Sequence, residues 1–134
     1  MVFGVTTQVS AYRNSSTSAF KENAMYKIDG NSIKLTRGDS FYTLVTMKRK
    51  DTGEEYTPQE GDVIRFGLKK SAEQTSCLIE KIIPNDTLIL NLEPNDTKSL
   101  PFGKYVYDIE ITFANGDVDT FINNADFNIV TEVI

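Results

Sequence analysis

The sequence predicts an all-β domain, an antiparallel sandwich of about seven to eight short strands. Three observations point there. Tyr105, Tyr107, Ile109, Ile111 and Phe113 alternate with Lys104, Asp108, Glu110 and Thr112, Val106 being the one break in the pattern. A period of two buries one face of a strand and wets the other. Asn115-Gly116 follows at once, and both residues accept the positive φ that a two-residue hairpin turn requires. Through the rest of the chain, turn-forming residues recur about every 8 to 12 positions, with no helix of about ten residues and no internal repeat.

Taken in order, the chain divides at residue 28. Residues 1–27 read as an irregular N-terminal arm. Arg13-Asn14-Ser15-Ser16-Thr17-Ser18 is polar and aperiodic, and Val2, Phe3, Val5, Tyr12, Phe20 and Met25 are too scattered to form a core face. Composition favours a flexible arm or leader. The sharper reading is an arm that docks on a neighbour through isolated aromatics, with Phe3, Tyr12 and Phe20 as anchors. Residues 28–134 read as the domain itself. Asp29-Gly30-Asn31 is a turn, Ile33 and Leu35 mark a short strand, and Arg37-Gly38-Asp39-Ser40 breaks it. Phe41 to Arg49 and Val63 to Lys70 are strands, the second turning Ile64, Phe66 and Leu68 inward. Glu55-Tyr56-Thr57 is a brief extended piece between them.

Leu78 to Ile83 is a strand stopped by Pro84-Asn85-Asp86, and Leu88, Leu90 and Leu92 alternate after it. Pro94-Asn95-Asp96-Thr97-Lys98-Ser99-Leu100 reads as one helical turn that crosses between sheets. The hairpin follows. A two-residue loop sets Phe113 opposite Val118, Ile111 opposite Thr120 and Ile109 opposite Ile122. That register leaves Phe121 opposite Glu110 on the wet face, so Phe121 is a fourth candidate for partner contact. Phe127, Ile129, Thr131 and Val133 form a closing strand. Gly103-Lys104-Tyr105-Val106-Tyr107 echoes the start of strand F in immunoglobulin-like sandwiches, where a tyrosine often forms a corner two residues before a cysteine; a strand start with an ordinary core tyrosine reads equally well. Tyr107 stands in that cysteine's place.

Composition narrows the function. The chain has 134 residues, 40% hydrophobic, enough for one domain with a real core. The net charge is −5 and the densest basic run is Lys48-Arg49-Lys50, so nucleic acid is a poor partner. No apolar run approaches the ~20 residues of a membrane-spanning helix. Cys77 is the single cysteine, which excludes an internal disulfide. The N-terminus lacks the basic-then-apolar order of a signal peptide, so synthesis in the producing cell's cytoplasm is expected, with release by lysis equally consistent.

Chemistry is sparse. There is no histidine, which removes the commonest general base and the commonest zinc ligand. Most carboxylates, among them Asp39, Asp51, Asp62, Asp86 and Asp117, lie in turns, where Asp caps backbone groups. Asp117-Val118-Asp119 falls short of a calcium loop. No catalytic residue, cofactor site or metal site is expected, and the chain reads as a non-enzyme. Arg37-Gly38-Asp39 spells the tripeptide that integrins read, but a tight turn between strands explains it.

With the strands laid out, the chain from about Ile28 onward resembles the immunoglobulin-like N-terminal domain of phage baseplate upper proteins of Gram-positive bacteria. The residues that carry this are Leu35-Thr36-Arg37-Gly38-Asp39-Ser40-Phe41, then Tyr56-Thr57-Pro58-Gln59-Glu60-Gly61-Asp62-Val63-Ile64-Arg65-Phe66. Pro94-x-Asp96-Thr97-Lys98-Ser99-Leu100, Gly103-x-Tyr105-x-Tyr107-Asp108-Ile109 and Asn115-Gly116-Asp117-Val118-x-Thr120 complete it. The resemblance implies a structural domain of the virion tail or baseplate, without cofactor. Its partners would be other tail and baseplate proteins or further copies of the chain. The chain departs from the family in its ~27 leading residues and in lacking the coiled-coil or receptor-binding segments that follow in longer members. A second expectation is a carbohydrate-binding or adhesion sandwich, which needs an exposed aromatic row; Tyr42, Tyr56 and Phe121 are the candidates.

Overall fold

The central hairpin forms where the alternation places it. In β8 (Gly103–Thr112) Tyr105, Tyr107, Ile109 and Ile111 are buried, while their neighbours are half-buried or exposed. The computed structural model describes residues 5–11, 26–29, 31–49 and 54–131. Before β8 come β1 (Val5–Ala11), β2 (Tyr26–Asp29), β3 (Ser32–Thr36), β4 (Phe41–Arg49), β5 (Val63–Lys69), β6 (Ile79–Ile83), β7 (Ile89–Leu92) and the short helix α1 (Pro94–Lys98); β9 (Val118–Val130) follows. The fold is all-β, as expected. β1 falls wholly inside the stretch 1–27 that reads as irregular, and β2 straddles its end.

The strands form two sheets. One has six strands in the order β2-β3-β9-β8-β5-β6, the other three in the order β1-β4-β7. Every pairing is antiparallel except β3 with β9, which runs parallel. The wholly antiparallel arrangement expected from sequence is therefore corrected to a mixed one: β3 lies beside the chain's last strand, not a hairpin partner. The core lies between the sheets. Phe41 of the smaller sheet meets Phe127 of the larger edge-on at 6.3 Å, and Phe127 also packs against Phe66 and Tyr107. Leu35, Val45, Met47, Ile64, Leu68, Leu90 and Leu92 close around them. Full burial of side chains this size contributes roughly 1.5–3 kcal/mol each.

The hairpin register differs from expectation. Gly116 N–H donates to Phe113 O and Phe113 N–H to Asp117 O, each at 2.8 Å, and Gly116 has φ +96°. This is a three-residue loop closed by a glycine in the left-handed region, not a two-residue turn. Thr112 therefore faces Val118, Ile111 faces Asp119 and Glu110 faces Thr120. Ile109 nevertheless faces Ile122 as expected, because the register shifts by one residue between Ile109 and Glu110. Phe121 is the extra residue of that bulge. It is half-buried against the core rather than standing on the wet face. A second shift, between Tyr107 and Ile109, takes up Asn123 and Asn124, with Asn124 at φ +53° and its N–H held by Asp108 Oδ1 at 2.6 Å. The closing strand expected near Phe127 is thus continuous with the hairpin arm, one strand of 13 residues that bends twice instead of breaking.

Candidate functional site

Two groups of loop residues bind distant parts of the chain together. At one, Thr36-Arg37-Gly38-Asp39 turns tightly, with Asp39 N–H donating to Thr36 O and Gly38 at φ +84°. This turn is fastened to the crossover around α1. The fully buried Thr97 accepts the Gly38 N–H on its hydroxyl at 2.9 Å. Arg37 donates to Leu100 O at 3.2 Å and lies 3.9 Å over the Phe102 ring. The Arg-Gly-Asp arginine is thereby engaged within the fold. The helix itself starts with Pro94 at its first turn, and Asp96 Oδ2 accepts the Glu93 N–H at 2.7 Å.

The other group centres on Asp62, buried at the head of β5. Its carboxylate accepts the Gln59 N–H at 2.8 Å, the Ala114 N–H at 3.1 Å and the Tyr56 hydroxyl. Its carbonyl accepts the Asn85 amide at 2.8 Å. Three loops meet there: 56–62, 84–87 and the hairpin tip. Tyr56 also packs edge-on against Phe113, ring centroids 5.9 Å apart. Buried carboxylates need such donors, and Asp62 has them, so its chemistry is spent on holding loops. At the opposite end of β8, beside the first group, Tyr105 Oη donates to Pro101 O at 2.6 Å.

The outer face of the larger sheet carries charge pairs and scattered apolar side chains. Lys69 meets Asp108 at 3.0 Å and Arg65 meets Glu110 at 3.6 Å. Val63, Leu78, Ile82 and Val118 stand exposed. Gly67 should lie on this face by alternation, yet it is buried. Cys77 covers it: a Cβ on Gly67 would lie 2.7 Å from the sulfur. Burial, then the charge of Glu80, pushes the Cys77 thiol above its ordinary value of 9.0, so the thiolate is disfavoured and nucleophilic use with it. Among the described residues no group of three or more His, Cys, Asp or Glu is placed to hold a metal ion, and no helix is long and apolar enough to cross a membrane.

Of the four candidate partner residues, Phe3, Tyr12 and Phe20 lie outside the described residues, and Phe121 sits in the β9 bulge against the core. The three aromatics of the carbohydrate reading are not brought into a row. Tyr42 is exposed on the smaller sheet, Tyr56 is bound to Asp62, and Phe121 belongs to the larger sheet. Sequence reasoning missed the roles of Thr97, Asp62 and Gly67; a glycine amid an alternating strand was the one local signal available.

The sheet edges are the remaining sites. β6 has five residues, and Lys81 lies opposite Phe66 on its core face, paired with Asp96 at 2.9 Å. β7 and β2 have four residues each. β1 has seven and ends the smaller sheet. No protein-family model matches the chain, and no curated protein matches it.

Proposed function

We propose that the chain is a non-enzymatic structural and assembly module of a phage or prophage tail baseplate. It acts through protein–protein contacts and is built on an immunoglobulin-like sandwich. One observation carries this reading: the segments that bear the resemblance are those that fasten the fold. Arg37 and Gly38 are bound to Thr97 and Leu100. Tyr56 and Asp62 are bound to each other, and Asp62 to the hairpin tip. Residues used this way serve a rigid scaffold, as a virion component requires.

Topology supports the immunoglobulin-like part. The run β9-β8-β5-β6 faces β4-β7, and α1 links β7 of one sheet to β8 of the other. The Tyr105 hydroxyl returns to a carbonyl four residues upstream at the start of β8, the geometry of the tyrosine corner.

The test is to raise antibodies against the full chain and label virions induced from the strain that encodes it. Gold at the tail tip, with the chain co-purifying with particles, is the expected result. A chain found only outside particles overturns the reading. A glycan array on the same preparation tests the carbohydrate alternative.

A further inference from the structure

We propose that the end of the larger sheet opposite the hairpin tip, around the start of β8, docks a short acidic segment of a partner protein through Lys34, Arg37, Lys70 and Lys104. What points there is the placing of cations that lack a carboxylate. Elsewhere on this sheet Arg65, Lys69 and Lys81 each meet one, at 3.6, 3.0 and 2.9 Å. Among the described residues Lys34, Arg37, Lys70 and Lys104 form no ion pair. In a chain with 14 basic and 19 acidic residues, four such cations share one end of one sheet.

Register and contacts bring them together. Lys34 lies opposite Asn128, and Asn128 opposite Lys104. Their neighbours Ile33, Leu35, Tyr105, Phe127 and Ile129 are buried, so alternation puts all three on the outer face. Adjacent strands lie about 4.8 Å apart, which roots the two lysines about 10 Å from each other, and both are exposed. Lys70 comes from the end of β5. Its ammonium lies 4.6 Å from the centre of the Tyr105 ring and 3.7 Å from where a Cβ on Gly103 would stand. Arg37 comes from the turn after β3, its guanidinium 3.9 Å over the ring of the exposed Phe102 and one nitrogen bound to Leu100 O. Phe102, Gly103 and Lys104 thus hold the four cations around one short stretch of chain.

The occupant follows from charge and from what surrounds the site. Like charges gathered this closely repel, and an anion that meets two or three of them relieves the repulsion. Carboxylates suit the set: the lysines are mobile point charges, and Arg37 adds a planar fork. A nucleic acid suits it less, because its phosphates follow one another without a break. Further along the same face it would meet Asp126 and Glu80, neither of which has a cation partner among the described residues. A peptide with a few acidic residues ends before them.

The experiment is fluorescence anisotropy of labelled hexaglutamate with the full chain at low salt, beside labelled hexathymidylate. It is repeated on Lys34→Gln, Lys104→Gln, their combination and Arg65→Gln. Hexaglutamate should bind the unmodified chain with Kd below about 1 mM and release as salt rises. Each lysine variant should weaken binding about three-fold and the pair about ten-fold, the scale of exposed ion pairs. Arg65→Gln removes the same charge from a cation that already has its carboxylate, and should change the affinity by less than about two-fold. Circular dichroism checks that the variants fold, and the two lysines, exposed and on separate strands, serve as independent tests. Absence of binding up to about 1 mM overturns the proposal. So does equal weakening by Arg65→Gln, which assigns the binding to net charge alone. Tighter binding of hexathymidylate, lost with the same two lysines, overturns the choice of an acidic protein and assigns the surface to phosphate chains. The proposal does not rest on the baseplate reading, and its failure leaves virion labelling to decide that reading alone.

Discussion

Thr97 Oγ1 accepts the Gly38 N–H at 2.9 Å across 59 residues of chain. One hydroxyl thereby holds the turn leaving the larger sheet at β3 against the helix that returns to it before β8. The glycine is required for its own reason, a φ of +84° that side chains with a Cβ resist.

Thr97→Val keeps the side chain's shape and removes its acceptor. Thr97 is fully buried and Gly38 half-buried, so the Gly38 N–H would lose its partner where water has only partial access. The expected loss is about 1–3 kcal/mol, read from urea denaturation. Thr97→Ser, which keeps the hydroxyl, should recover most of it. A Thr97→Val variant as stable as the unmodified chain would overturn this, while any loss in Thr97→Ser measures the packing of the methyl group that Thr97→Val keeps.

Asp62 makes a larger prediction. Three donors converge on one buried carboxylate. Asp62→Ala strands two backbone N–H groups as well as the Tyr56 hydroxyl, and about 3 kcal/mol or more is expected from such charge-assisted bonds. Tyr56→Phe removes a single donor and should cost about 1 kcal/mol. Because the two residues share one bond, the double variant should fall short of the sum of the singles. Strict additivity would mean that the hydroxyl and carboxylate do not interact in solution.

These contacts also mark how far the sequence can be read. The alternation of Tyr105, Tyr107, Ile109 and Ile111 is a local pattern, and burial follows it without exception. Pro94 and Asp96 mark the first turn of a helix in any context, and α1 begins there. Asp62 is legible as a turn residue, but its hold on Ala114 spans 52 residues, which no window contains. β1 is obscured for a different reason. Val5, Thr7, Val9 and Ala11 alternate in the sequence, yet two of the four are small or polar and mute the period. Asn123-Asn124 mimics a turn and divides β9 on paper. Phe121, which breaks the alternation, was the visible trace of the bulge that actually shifts the register.

Gly67 and Cys77 form a pair whose cost is steric. A methyl group on Gly67 would lie 2.7 Å from the Cys77 sulfur but 3.8 Å from its Cβ. Gly67→Ala should therefore destabilise by about 1–3 kcal/mol through overpacking. Adding Cys77→Ala removes the offending atom and should restore much of that loss. The measurement is a double-variant cycle by thermal or urea unfolding. If Cys77→Ala gives no relief, the strain lies in the backbone of β5 and not in the contact with the loop.

Tyr107 ties stability to alkaline pH. Its ring is buried beside Phe66 and Phe127, its hydroxyl donates to Asn31 O, and burial pushes that hydroxyl well above its ordinary value of 10.0. Tyr105 moves in the same direction, also through burial, with the Arg37 charge opposing. Below pH 10 these tyrosines are protonated whether the chain is folded or not, so they impose no slope. Above it the unfolded chain releases their protons while the folded chain keeps them. The unfolded state then binds fewer protons, and stability falls as pH rises. Urea midpoints should hold steady up to about pH 10 and then decline, provided other groups titrate alike in both states. Tyr107→Phe should cost about 1 kcal/mol at neutral pH through the lost hydrogen bond, yet decline less steeply in alkali. Titration at 295 nm checks the same point directly, since fewer than the chain's six tyrosines should ionise before the fold opens. Six ionising together while the protein remains folded would place the Tyr107 hydroxyl in contact with water.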